Sequence, residues 1–117
     1  MPADLRAALP ALIADARMRC GPADEMKLAS ELTQTLSMLG GPMSHAERIE
    51  WQVSMQDDLR DIPGDLAIEG VRDARRTCRR REEVLPHVRE YAEDYPARRR
   101  AQLQRLMTLA TVAGVLA

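Results

Sequence analysis

The sequence predicts an all-α fold, a compact bundle of five to six helices, and three observations carry that prediction. Apolar residues recur at three- and four-residue steps through most of the chain, the spacing of one buried helix face. Ala, Leu, Arg, Glu, Gln and Met, all good helix formers, dominate, and alternating β-branched runs are absent. Proline and glycine fall between the periodic segments rather than within most of them. The length of 117 residues fits one domain, 1–117. Within it we expect an N-terminal helical hairpin over 1–41, a central helix–corner–helix over 44–81, and a basic C-terminal helical segment over 82–117. With no Phe and seven Met, the core must be aliphatic and adaptable.

The first helical pattern covers Asp4 to Arg19, with Leu5, Leu9, Leu12 and Ala16 as its stripe. Pro10 either kinks it or marks its true start. Cys20-Gly21-Pro22 ends it. The second pattern runs from Ala23 to Leu39, with Leu28, Leu32, Leu36 and Leu39 in a row, and Gly40-Gly41-Pro42 stops it. A short connection predicts that these two helices pair antiparallel.

Ser44-His45-Ala46-Glu47 is a capping box: the serine hydroxyl accepts a backbone N–H and the glutamate reaches back to the serine's own. It opens a third helix, to about Leu59, with Trp51, Met55 and Leu59 on one row and Ile49 and Val53 beside it. Trp51 reads as the largest plug of a core without Phe, with an exposed interface anchor as the alternative. The Asp61-Ile62-Pro63-Gly64 corner then leads into a fourth helix, with Asp61 as the candidate N-cap. Its inner face is Ala67, Val71, Ala74 and Cys78, and Gly70 on that face would allow a close approach. A fifth piece spans Glu82 to Tyr95, with Leu85, Val88, Ala92 and Tyr95 as its stripe. Pro96 breaks it, kinks it or opens a last helix, apolar at Leu103, Leu106, Met107 and Ala110.

Net charge is −1, yet residues 1–70 carry 6 basic and 12 acidic groups while residues 71–117 carry 11 basic and 6 acidic ones. That asymmetry points to a partner surface in the second half. Arg72, Arg75, Arg76 and Arg79 share a helix face, and Arg80, Arg81, Arg98, Arg99 and Arg100 extend it. These nine are the candidate partner-binding residues, suited to phosphate or to an acidic protein surface. The competing reading is a solvated face carrying helix pairs such as Glu69–Arg72 and Asp73–Arg76.

Motifs for chemistry are lacking. His45, His87, Cys20 and Cys78 have no zinc spacing. Asp57-Asp58 and Glu82-Glu83 are adjacent carboxylates, about 100° apart on a helix, and do not converge. There is no G-x-S-x-G, and Pro42 after Gly40-Gly41 lacks the N–H a phosphate cradle uses. The expectation is a protein that is not an enzyme and needs no cofactor or metal. Two cysteines make no disulfide framework, and no basic segment precedes an apolar run at the N-terminus, so a cytoplasmic location is expected. The apolar run from Leu106 to Ala117 is too short to span a bilayer, so no membrane partner is expected. That run could pack at home or join a second copy in a homodimer.

Trp51…Leu59-Arg-Asp-Ile-Pro63…Ala67…Val71…Ala74-Arg75-Arg76, followed by Leu85-Pro86-His-Val-Arg-Glu-Tyr-Ala92, resembles small helical replication accessory proteins of phages and prophages, of the helicase loader or loader-inhibitor type. The resemblance covers about residues 45–100. The family's aromatic residues and Pro-Ser turn before the later helix are replaced here by Cys78-Arg79-Arg80-Arg81-Glu82-Glu83. The resemblance implies a non-catalytic adaptor or inhibitor, docking on a larger protein such as a replicative helicase, with the arginine-rich half as contact surface. The alternative is a DNA-binding regulator using the fourth helix and the C-terminal segment. A helix–turn–helix over 45–79 would start its recognition helix at acidic Asp65, where base contacts should lie.

Overall fold

The computed structural model describes residues 2–114, all of them in helices, turns or connections with no strand. Six α-helical segments occur: α1 (Ala3–Cys20), α2 (Glu25–Leu39), α3 (His45–Asp58), α4 (Gly64–Thr77), α5 (Val84–Tyr91) and α6 (Tyr95–Val112), with a 3₁₀ turn at Arg81–Glu83 before α5. Their ends follow local chemistry. The Asp24 carboxylate accepts from the Met26 and Lys27 N–H groups, both at 3.0 Å, and caps α2. At α3 both arms of the Ser44–Glu47 capping box form, at 3.1 and 3.5 Å. Gly41, at φ +64°, takes the left-handed turn that follows α2. Pro10 lies inside an uninterrupted α1, and Pro96 sits in the first turn of α6, so the second proline opens a helix. Pro63, not Asp61, is the residue before α4.

Contacts gather the chain into two compact units, residues 21–93 and residues 1–20 with 94–117. This differs from the division expected above. The first helix packs on α6, and α2 packs on α3 and α4. α1 and α6 are both 18 residues long, and each supplies an aliphatic stripe to the other. The lengths match, which a short connection alone could not reveal.

In the unit 21–93, α4 is central, flanked by α2 and α5. Leu28 and Leu32 of α2, Met55 and Leu59 around the end of α3, Leu66, Ala67, Val71 and Ala74 of α4, and Val84 and Val88 of α5 form one buried cluster. Trp51 is half-buried against it, a wall rather than a plug. The Pro-Gly corner is tied down by the Gly64 N–H, which donates to the Gly21 carbonyl at 2.8 Å. Gly70 meets α5 as its sequence position suggested: a Cβ built there would lie 2.9 Å from Val88 Cγ1. In the other unit, Leu9, Ile13 and Ala110 are buried between α1 and α6, with Leu103, Leu106, Met107 and Ala113 around them. No helix among the described residues is long and apolar enough to cross a membrane.

Candidate functional site

The nine arginines do not form one face. Arg75 is turned inward, its side chain only 15% exposed, and its Nη2 meets the Glu31 carboxylate at 3.1 Å while Nη1 donates to the Glu31 carbonyl at 3.2 Å. Arg72 reaches the same carboxylate at 2.9 Å from a half-exposed position. Glu31, buried on α2, therefore holds α4 by two guanidinium groups. Its hydrogen bond from Arg72 is the largest influence on its acidity and holds the carboxyl below the ordinary carboxylate range; burial opposes this, and Arg75 adds to the lowering. Arg81 donates to the Gly40 carbonyl at 2.6 Å and so caps the end of α2. Three of the nine thus tie the fold together.

Arg76, Arg79 and Arg80 are exposed at the end of α4 and beyond it. Arg76 bonds its own helix backbone at Arg72, and the Arg79 and Arg80 side chains have no ion pair or hydrogen bond among the described residues. In the other unit, Arg99 donates to the Arg19 carbonyl at 2.9 Å, Arg98 lies 6.0 Å over the Tyr95 ring, and Arg100 is exposed. The helix pairs expected along α4 give way to longer-range ones. Asp73 takes His87 at 2.6 Å, and Tyr91 donates to Glu69 at 3.3 Å. His87 is a half-buried bridge from α5 to α4.

Sequence reasoning missed an open groove of about 870 Å³ between α2 and α3. Met26, Ala29 and Leu36 line it from α2, and Ile49 and Val53 from α3. Met26 is 82% exposed, Val53 63% and Ile49 51%. The two helices touch across it through polar rungs: Gln52 Nε2 donates to the Thr33 hydroxyl at 2.8 Å, and Gln56 Nε2 to the Glu25 carbonyl at 2.9 Å. Arg48 and His45 stand at one end, Glu25 and the Asp57–Arg60 pair at the other. The available signal was the unusually broad apolar face of the third helix, wider than one neighbour can cover. Of α3 itself, only Met55 is buried.

No group of three or more His, Cys, Asp or Glu among the described residues could hold a metal ion. Cys78 is buried, and burial, then Glu83 and Asp73, push its thiol above the usual range, away from nucleophilic use. No family model, curated protein or solved structure matches the chain.

Proposed function

We propose that this protein is a non-catalytic adaptor or inhibitor that binds a larger protein by taking an apolar segment of it into the α2–α3 groove. The observation that carries the reading is the exposure of Met26, Ile49 and Val53 along one open channel whose walls are joined by only a few polar rungs. Scattered apolar residues on a surface need no explanation, whereas a contiguous apolar channel with a charged rim has the make-up of a protein-recognition site. An amphipathic helix presenting anchors at i, i+3 or i+4, and i+7 suits a channel the length of the 14-residue α3. Arg48 at one end and Glu25 at the other would fix its direction.

The setting we favour is DNA replication, with a replicative helicase or its loading partner as the larger protein. This rests on the resemblance of residues 45–100 to helicase loaders and loader inhibitors. Exposed Arg76, Arg79 and Arg80 supply a further polar contact outside the groove. The test is a pull-down from a host lysate, followed by binding of the purified partner to the wild type and to Val53→Asp. A stoichiometric partner lost on Val53→Asp supports the reading, and a replicative helicase among the retained proteins supports the setting. A partner retained equally by the variant refutes the groove as the contact.

A further inference from the structure

The α1–α6 unit has a leucine face that neither helix covers. The two helices run antiparallel, because Arg99 of α6 bonds Arg19 near the end of α1 and Gly114, just beyond α6, lies against the Arg6 guanidinium near the start of α1. At about 100° per residue, Arg6 and Arg17 fall on one flank of buried Leu9, and Leu5 and Leu12 on the other. Arg17 reaches the Met107 sulfur at 4.0 Å, so Met107 of α6 lies on the same side as Arg17. The opposite flank of α6, with Leu106, Leu109 and Ala113, therefore lies on the same side as Leu5 and Leu12. Leu5 is 41% exposed, Leu12 42% and Leu109 38%. Over residues 5–12 and 106–113 that side of the pair is thus a shared aliphatic surface, and it turns polar at Arg19 and Gln102.

Its two edges carry opposite charge. Beyond the leucines, the α1 edge presents Asp15 and the α6 edge presents Arg105. Neither side chain has an ion pair or hydrogen bond among the described residues. Interpolating between the Arg19–Arg99 and Arg6–Gly114 contacts sets Arg105 level with Asp15 to within about two residues.

We propose that this face binds the same face of a second copy, giving a four-helix dimer whose two-fold axis runs along the helices. That axis lays each α1 antiparallel on α6 of the second copy, with helix dipoles opposed. It brings Asp15 opposite Arg105 of the second copy, twice by symmetry. A two-fold axis perpendicular to the helices would instead stack α1 on α1 and set Asp15 near its own image, so charge selects the first arrangement. The whole side of the pair, about 27 Å long and two helices wide, covers at most roughly 500 Å² per copy, near the lower limit for a specific interface, so a dimer no tighter than micromolar is expected.

The test is sedimentation equilibrium of the full chain, from about 1 to 300 µM. The wild type should move from monomer to dimer over that range. Asp15→Arg alone and Arg105→Asp alone each set like charges face to face and should weaken self-association at least about tenfold. Mixed in equal amounts, these two variants should form a heterodimer close to wild-type affinity, since every contact is then complementary. Both changes are at exposed positions, and unchanged far-UV circular dichroism verifies the fold. Leu12→Asp should abolish association. A wild type that stays monomeric at the highest concentration, single variants that dimerise as well as the wild type, or a mixture that fails to recover would each overturn the proposal. None of these readouts involves the α2–α3 groove.

Discussion

Replacing Glu31 tests the joint on which the 21–93 unit is built. The carboxylate is buried and receives Arg75 at 3.1 Å and Arg72 at 2.9 Å. In Glu31→Ala the Arg75 guanidinium, its side chain 15% exposed, keeps only a backbone carbonyl. Removing one partner of a buried pair costs about 3–5 kcal/mol, and that remaining carbonyl places this case at the low end, about 3 kcal/mol. Arg72, half-exposed, can turn to water. Glu31→Gln keeps an acceptor and should lose only about 1–2 kcal/mol. Because Glu31 is held below its unfolded pKa near 4.5, its stabilisation is present above that pH and is lost as pH falls through the lower folded value. The gap between wild type and Glu31→Gln should therefore be widest near neutrality and narrow below about pH 4. Urea titration followed by Trp51 fluorescence reads this unit alone, since the single tryptophan packs on its core. A loss under about 1 kcal/mol for Glu31→Ala, or a gap that stays constant from neutral to acid pH, would refute the account.

Gly70→Ala should destabilise the same unit by about 1 kcal/mol in urea titration: the helix gains about 1 kcal/mol of propensity, but the new methyl enters within 2.9 Å of Val88 Cγ1 and overpacking costs more than that gain. Cys20 should react with iodoacetamide at mildly alkaline pH well before Cys78, whose thiol is buried and donates to the Glu83 carbonyl at 3.7 Å; mass spectrometry of digested protein over time would show it. If DNA is bound at all through the exposed end of α4, the affinity should fall with salt at a slope near −3, as Arg76, Arg79 and Arg80 are the outward cations there; a slope near −8 would mean that all nine arginines reach phosphate, which the Glu31 and Gly40 contacts forbid.

What the sequence made legible was local. The Ser44–Glu47 box, the Gly40–Gly41 stop and the Gly70 approach are each written within a few adjacent residues, or in one small residue on an apolar face. Long-range partnership was not legible. Glu31 sits between Leu28 and Leu32, one step from a clean apolar stripe, and nothing local says that a carboxylate there will be buried. Its counter-ions lie 41 and 44 residues away. The pairing of α1 with α6 was hidden likewise, because loop length favours the next helix whereas stripe length and composition decide the outcome. The α2–α3 groove left a trace in the width of the Ile49–Val53–Met55 face, but width alone does not say which part stays uncovered.

The charge asymmetry between the halves has a physical reading that differs from one outward arginine surface. Two acids of the first half meet arginines of the second inside the 21–93 unit: Glu31 takes Arg72 and Arg75, and Asp61 takes Arg89 at 3.3 Å, while the backbone carbonyls of Gly40 and Asp58 take Arg81 and Arg89. A guanidinium serves this purpose better than an ammonium, because its fork can bond a carboxylate and a carbonyl at once, as Arg75 does with Glu31. In a core without Phe, arginine adds to the joining of helices through directed bonds. The cations that remain exposed are spread over the chain, with Arg76, Arg79 and Arg80 at the end of α4, Arg98, Arg100 and Arg105 along α6, and Arg6, Arg17, Arg19 and Lys27 on α1 and α2. In the reading proposed above, the α2–α3 groove would supply the apolar contact and the exposed arginines would set orientation and rate of encounter.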